Sequence, residues 1–342
     1  MTRTAPQDPP GLDLTRLADW FASSVPGAAG GLTARLIAGG KSNLTYEVGD
    51  GRTTWVVRRP PLGHVLSTAH DMAREYRVMS ALRATDVPVP ATYALCSDTE
   101  VLGAPFYVME RVAGTAYRHA ADLERLGPDR TRVISTRLVD TLAALHAVEP
   151  AAVGLADFGR PEGFLARQVS RWRRQLDASY CRDLPAADEL HARLASAVPS
   201  GSAPGIVHGD YRLDNVLTDD RDRVAAVIDW EMATLGDPLT DLALLVLYQR
   251  LGRLVGEAVA DASSAPGFLT EDEILERYAA RSTQPLPPLG FHLGLAAFKL
   301  AAICEGIHYR HLRGQTVGPG FERLGEVSEL LLDAGLTYLK EH

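Results

Sequence analysis

His208-Gly209-Asp210-Tyr211-Arg212-Leu213-Asp214-Asn215 is the stretch whose reading decides the fold. It has the form H-x-D-x-x-x-x-N. Apolar, strand-prone residues stand before it (Ile206, Val207) and after it (Val216, Leu217). A second such run, Val224-Ala225-Ala226-Val227-Ile228, delivers Asp229-Trp230-Glu231. A hydroxyl that attacks a γ-phosphate needs a carboxylate within hydrogen-bond reach to orient it and accept its proton, and Asp210 is placed for that. The group in transfer is heavily negative, so a hard cation must bridge the phosphates. Mg2+ takes a few protein oxygens and completes its shell with phosphate and water, so Asn215 and Asp229 are the candidate metal ligands. The four residues between Asp210 and Asn215 let the loop turn back so that both face one cleft.

Histidine, aspartate and asparagine are common in turns, so the octet alone is a weak signal. Its placement between strands, with Asp-Trp-Glu downstream, makes it specific. His208 reads as a buttress for the loop rather than a proton carrier. Gly236-Asp237-Pro238 then opens a helix from Leu239, with Asp237 as N-cap and proline in the first turn. Asp241, in that first turn, either complements the helix dipole or braces the catalytic loop; bracing is the favoured reading.

Taken together, Ile206-Val207-His208-Gly209-Asp210 with Asn215, Ile228-Asp229-Trp230-Glu231 and Gly236-Asp237-Pro238 resemble the aminoglycoside phosphotransferase and choline kinase-like superfamily. The likeness runs from about Leu36 to the C-terminus. A narrower likeness, to the kinase-like domain at the N-terminus of some acyl-CoA dehydrogenase family proteins, is carried by several stretches. These are Arg58-Arg59-Pro60-Pro61, Ala73 to Val78, Thr85 to Pro90, Arg171-Trp172 with Gln175-Leu176, and Phe298 to Ile303 through Gly306, Arg310 and Gly314. The resemblance implies an α+β, two-lobed protein kinase-like fold, with an antiparallel β-sheet N-lobe and a mainly α-helical C-lobe. Residues 1–10 are expected to be a disordered tail, 11–112 the N-lobe and 113–342 the C-lobe with the catalytic loop and acceptor site.

Size and composition agree with an ordinary globular enzyme: 342 residues, 46% hydrophobic and 23% charged. A net charge of −8 argues against non-specific nucleic-acid binding. Three cysteines, odd in number and far apart, suggest a reducing compartment and no zinc knuckle. No transmembrane-length apolar run or signal core stands out, so a cytoplasmic protein with no membrane partner, monomeric or homodimeric, is expected.

In the N-lobe, Leu14, Leu17, Ala18 and Phe21 predict a short amphipathic helix. Strands are expected at Leu32 to Ile37, Leu44 to Val48 and Thr54 to Arg58. Between the first two lies Gly39-Gly40-Lys41-Ser42-Asn43. It is read as a nucleotide loop in which backbone amides approach phosphates and Lys41, Ser42 or Asn43 add donors; a plain hairpin turn is the alternative. In kinase-like folds the third strand carries a cation for the α- and β-phosphates. Arg58 matches the usual lysine, with Arg59 the competitor, because strand alternation sends only one of them into the cleft. On a helix from about Thr68 to Leu82, Glu75 shares a face with Met72, Met79 and Leu82 and needs a cationic partner, for which Arg58 is the candidate. Further strands are expected at Tyr93 to Leu95 and Pro105 to Met109. The resemblance implies that backbone groups from Glu110 to Val112 meet the adenine edge of ATP.

The C-lobe reads as helical. Ile134, Leu138, Leu142 and Leu145 mark one helix ending at His146, a packing or capping residue. Others run from Gly163 to Leu176 and from Leu239 to Leu251; one follows a Thr270/Glu273 capping box, and a long one spans Phe291 to Leu312. Arg171 to Arg174 is either a solvated face or a contact for an acidic substrate group. Glu305, His308 and His311 share a helix side, but the H-E-x-x-H spacing of zinc pairs is absent; a substrate-facing role for Glu305, Tyr309 or Arg310 is preferred. The favoured function is an ATP- and Mg2+-dependent phosphotransferase acting on a small-molecule hydroxyl acceptor. The subgroup likeness implies a hydroxyacyl or acyl-CoA compound, and the wider superfamily an aminoglycoside or amino alcohol. The rival from another class is a catalytically silent nucleotide-binding module.

Overall fold

The computed structural model describes residues 8–37, 43–62, 71–179, 181–200, 203–255, 261–282, 285–316 and 321–341. The chain divides into two units. The first holds the residues up to Ala113 together with Ala225–Glu231, and the second holds Gly114–Val224 with Met232 onward.

The first unit contains α1 (Leu14–Ser24), β1 (Thr33–Leu36), β2 (Leu44–Gly49), β3 (Thr54–Arg59), α2 (Met72–Leu82), β4 (Thr92–Cys96), α3 (Thr99–Leu102) and β5 (Phe106–Glu110). Its five strands form one antiparallel sheet in the order β1-β2-β3-β5-β4. Alternation sorts the two faces. Tyr46, Val48, Trp55, Val57, Phe106 and Val108 form one core with Leu17 and Phe21 of α1, where Phe21 meets Trp55 and Trp20 meets Phe106 edge to face. Residues one step out of phase, Arg58 and Tyr107, both reach Glu75 of α2. α2 starts at Met72 rather than near Thr68, because the Asp71 carboxylate caps it by accepting from the Arg74 N–H; residues 63–70 lie outside the described part. Residues 8–10, expected in a disordered tail, are tied down: the Tyr46 hydroxyl donates to the Pro10 carbonyl at 2.5 Å and the Leu12 N–H to that of Pro9. The segment after β8 (Val224–Val227) joins this unit through the Val227 N–H, which donates to the Pro88 carbonyl at 2.8 Å.

The second unit is mostly helical. It comprises α4 (Ala120–Glu124), α5 (Pro128–His146), α6 (Phe164–Asp177), α7 (Pro185–Ser196), β6 (Gly205–Val207), β7 (Val216–Thr218), β9 (Thr234–Gly236), α8 (Leu239–Val255), α9 (Glu271–Ala279), α10 (Gly290–Leu312) and α11 (Leu324–Tyr338). β6 pairs antiparallel with β9, Ile206 opposite Leu235. The capping box at Thr270 and Glu273 is formed as expected. α10 is the centre, packed by α6, α7, α8 and α11. By length and composition α10 could cross a membrane, but 83% of its most apolar window is buried within the protein. It carries buried Glu305 and His292, which a lipid-facing helix would not.

Candidate active site

In the second unit the candidate catalytic loop is built by hydrogen bonds that converge on its backbone. β6 delivers His208, fully buried. Both carboxylate oxygens of Asp241, in the first turn of α8, accept from this loop: the His208 N–H at 2.6 Å and the Gly209 N–H at 2.8 Å. His146, at the end of α5, lies 3.4 Å from the same carboxylate and shares a hydrogen bond with the Tyr278 hydroxyl at 2.8 Å. Burial pushes the Asp241 pKa up, but the His146 bond and the His208 contacts outweigh it and hold the carboxyl below its ordinary value. Asp241 therefore braces the loop, and His146 braces Asp241. Gly209 has φ +86°, and a Cβ there would stand 2.8 Å from the Met232 Cβ, so only glycine fits.

Asp210 follows. Its N–H donates to His208 Nδ1 at 3.2 Å, which makes His208 a buttress. The Asn215 carboxamide donates Nδ2 to the Asp210 carbonyl at 2.8 Å and to its carboxylate Oδ2 at 3.0 Å. Asp210 and Asn215 are thus brought together by direct contact. With the nitrogen turned inward, the Asn215 Oδ1 is left without a hydrogen bond among the described residues. Arg212 adds a cation to the same loop. Its Nε lies 2.9 Å from Asp214 and 3.5 Å from Asp210, and its Nη1 donates to the Tyr248 hydroxyl at 3.3 Å. Burial works against the Arg212 charge, but Tyr248, Asp210 and Asp214 overcome it and raise its pKa.

The first unit gathers the nucleotide-side candidates. Arg58 is the central cation. Its Nε stands 3.0 Å from Glu75, and its Nη2 is 2.5 Å from Asp229 and 3.5 Å from Glu231. Arg59 takes the other face and donates to the carbonyls of Gly11 and Leu102, so Arg58 is the one of the two that turns toward Glu75. Glu75 also accepts from the Tyr107 hydroxyl at 2.9 Å and from Asn43 Nδ2 at 3.1 Å, and that amide reaches Glu231 at 3.0 Å. Burial, with the negative charge of Asp229 and Glu231 added, lifts Glu75 to about 7 against the pull of Arg58 and Tyr107. Arg58 itself stays charged: burial opposes its charge, but Tyr107, Glu75, Asp229 and Glu231 raise its pKa on balance. Asp229 sits at φ +67°, a left-handed conformation that a non-glycine residue holds at a cost. One oxygen is taken by Arg58; the other has no partner among the described residues, and the side chain is 30% exposed.

Gly40, Lys41 and Ser42 lie outside the described residues. Glu110 is the last residue of the fifth strand, and Val112 lies two residues beyond it. The Glu110 N–H is committed to the Ala91 carbonyl at 2.7 Å, and the Val112 carbonyl accepts from Arg111 Nη1 at 2.9 Å. A Mg2+ site needs hard oxygen donors with spare lone pairs, and Asn215 Oδ1 and the second Asp229 oxygen meet that requirement, each within its own unit.

Sequence reasoning passed over Glu231, Tyr107, Arg212 and Lys299. Tyr107 could have been found, since alternation across β3 and β5 puts it on the Arg58 face. The substrate-facing role expected for Glu305 is corrected. Its carboxylate is fully buried, and Arg182 grips it with Nη2 at 2.8 Å and Nε at 3.0 Å. In the basic run of α6, Arg173 pairs with Asp177 and Asp188. Arg171 forms no ion pair among the described residues and lies 5.2 Å from the Trp172 ring.

Residues 33–278 match the model of a family described as the phosphotransferase enzyme family. Acyl-CoA dehydrogenase family member 11 of Gallus gallus is 36% identical over 321 residues, 91% of this chain but 41% of that protein, so the chain spans about two-fifths of that relative's length. A putative aminoglycoside phosphotransferase from Ralstonia eutropha superimposes with a TM-score of 0.84 at 32% identity, over 96% of this chain and 99% of that one. An aminoglycoside phosphotransferase, APH(4)-Ia, in ternary complex with AMP-PNP and hygromycin B, gives a TM-score of 0.62 at 16% identity over 95% and 97% of the two chains, a likeness of fold. The α+β kinase-like architecture expected from the motifs is the one these neighbours share.

Proposed function

The chain belongs to the phosphotransferase enzyme family, and from that premise we propose that it moves the γ-phosphate of ATP to an alcohol hydroxyl of a small molecule. The catalytic loop carries this reading. Asp210 is held through its N–H by His208 and through its carboxylate by Asn215, and it still keeps 28% of its side chain exposed. A pre-set carboxylate of that kind accepts the hydrogen bond of an acceptor hydroxyl, points its lone pair at the phosphorus, and takes the proton as the new O–P bond forms. Arg58, kept in place by Glu75, binds nucleotide phosphate. Asn215 and Asp229 would hold Mg2+, which when bound neutralises phosphate charge and orients the transferring group.

For the acceptor, the relatives named as acyl-CoA dehydrogenase family members support a hydroxyacyl or acyl-CoA type compound. Arg171, free of carboxylate partners among the described residues, and nearby Lys299 favour an anionic acceptor over a polycationic aminoglycoside. The test is Mg2+-dependent ATP turnover across hydroxyacyl-CoA, hydroxy acid, aminoglycoside and amino-alcohol panels, with Asp210→Asn beside the wild type. Asp210→Asn should lower turnover by about 10²–10⁴-fold, the usual worth of a general base, with nucleotide affinity nearly intact. A large loss of affinity instead means that Asp210 is a metal ligand. Nucleotide binding without turnover on any acceptor, unchanged by the substitution, means a silent module.

A further inference from the structure

Lys299 projects from the middle of α10, and its ammonium donates a hydrogen bond to the carbonyl oxygen of Gly209. That carbonyl belongs to the peptide bond joining Gly209 to Asp210. The N–H of the same peptide unit is held by His208 Nδ1 at 3.2 Å. The peptide plane from which the Asp210 side chain springs is therefore pinned at both ends, by a cation on one side and an imidazole on the other. On its N-terminal side, the Gly209 N–H is held by Asp241 at 2.8 Å.

No carboxylate lies within ion-pair distance of the Lys299 ammonium among the described residues. Its nearest aromatic support is the Trp172 ring, 5.6 Å from Nζ to the centroid. Burial pulls its pKa down, Asp210 and Asp241 pull it up, and Arg171 and Arg212 add to the downward pull. A half-buried ammonium with no salt-bridge partner among the described residues is a poor stabilising device, and a methionine would fill the same space at less desolvation cost. Placing such a group on a glycine with φ +86°, next to the candidate base, makes sense as orientation of the loop.

We propose that Lys299 is a positioning residue that fixes the Gly209–Asp210 peptide plane and through it the direction of the Asp210 carboxylate. The proposal rests on the reading of Asp210 as the group that orients the attacking hydroxyl. It can be tested before the natural acceptor is known, with water as the acceptor. Phosphate release from saturating Mg-ATP is measured for the wild type, Lys299→Met and Lys299→Arg, with nucleotide affinity, thermal unfolding and amide hydrogen exchange over residues 206–216 alongside. The expected result for Lys299→Met is a fall in kcat of about 10²-fold, the scale of a misplaced reacting group. KM for ATP should stay within about twofold, because an orienting group adds little to uniform binding. The unfolding midpoint should be equal to or above that of the wild type, and exchange across the loop faster. Lys299→Arg, which can still donate to the Gly209 carbonyl, should recover most of the rate.

Phosphate release by Lys299→Met within threefold of wild type would overturn the proposal, whatever its stability. If both variants lose the rate, the exchange data decide: faster exchange at the loop amides supports pinning, and unchanged exchange refutes it. Failure of the underlying phosphotransfer reading has a different signature. The wild type would then release no phosphate and Asp210→Asn would match it, while loop exchange in Lys299→Met would still report whether the peptide is held.

Discussion

Asp241→Asn changes one atom and should cost the second unit several kcal/mol. In the wild type each carboxylate oxygen accepts a backbone N–H, from His208 at 2.6 Å and from Gly209 at 2.8 Å, in a site that is 1% exposed. Asparagine has one acceptor oxygen, so one N–H would face an NH2 group, donor to donor. The lost charge-assisted bond is worth about 1.5–3 kcal/mol, and the buried N–H left without an acceptor costs about 1–3 kcal/mol more. A net loss of about 3–5 kcal/mol is expected, a large part of the typical stability of roughly 5–15 kcal/mol. Urea unfolding at pH 7, followed by fluorescence, should show a lower midpoint with an unchanged slope. The pH dependence gives an independent check. The folded pKa of Asp241 lies below the ordinary 3.8, so its contribution is present above that value and lost as pH falls through the depressed folded pKa. The gap between wild type and variant should therefore be constant at neutral pH and close only in strong acid. A loss under about 1 kcal/mol, within the range of a single ordinary hydrogen bond, would refute the account of the loop as hung from Asp241.

Three further outcomes follow from the same physics. Glu75 is lifted from 4.5 to about 7 on folding, so the stability it contributes is present below pH 4.5 and lost as pH rises through 7; Glu75→Gln should flatten that slope in pH-dependent melting of the first unit. Arg182→Met strands the fully buried Glu305 carboxylate and should cost about 3–5 kcal/mol in urea unfolding, most of it recovered in the double variant Arg182→Met, Glu305→Leu. Gly209→Ala forces a left-handed alanine against Met232 and should lower stability by about 2–5 kcal/mol, from about 1–2 of backbone strain and about 1–3 of overpacking, with loss of phosphate release.

What could be read from the chain was whatever is local in sequence. The octet holds Asp210 and Asn215 five residues apart, and the contact between their side chains is made within that loop. Alternation along β3 stated that Arg58 and Arg59 must part company; which one turned toward Glu75 needed the position of α2. Capping chemistry located Thr270 and Glu273, whose partners are three residues away. The features that escaped are long-range. Lys299 meets Gly209 across 90 positions and Arg182 meets Glu305 across 123, and helical spacing gives the side on which a residue lies but not what stands opposite. Glu305 was misjudged for that reason. A glutamate on an apolar helix signals a buried partner as readily as a substrate contact, and the partner lay on the segment between α6 and α7.

The two halves of the candidate machinery are organised around different cations. In the first unit the Arg58 guanidinium lies within ion-pair distance of three carboxylates, Glu75, Asp229 and Glu231, and burial together with the neighbouring negative charge raises Glu75 to about 7. Asp229 keeps a spare oxygen at a strained φ of +67°, a cost that makes sense if a metal ion is the missing charge. In the second unit the candidate loop holds charges of both signs. Lys299 donates to the Gly209 carbonyl and Arg212 pairs with Asp214 beside Asp210, while Arg171 opposes the Lys299 charge and Asp210 and Asp241 support it. A base flanked by cations suits an acceptor or a transferring phosphate that arrives negative. Lys299, with no ion-pair partner among the described residues, is a poor way to stabilise a protein. On the proposed function, a nucleotide phosphate or an anionic acceptor would supply the charge that Lys299 lacks.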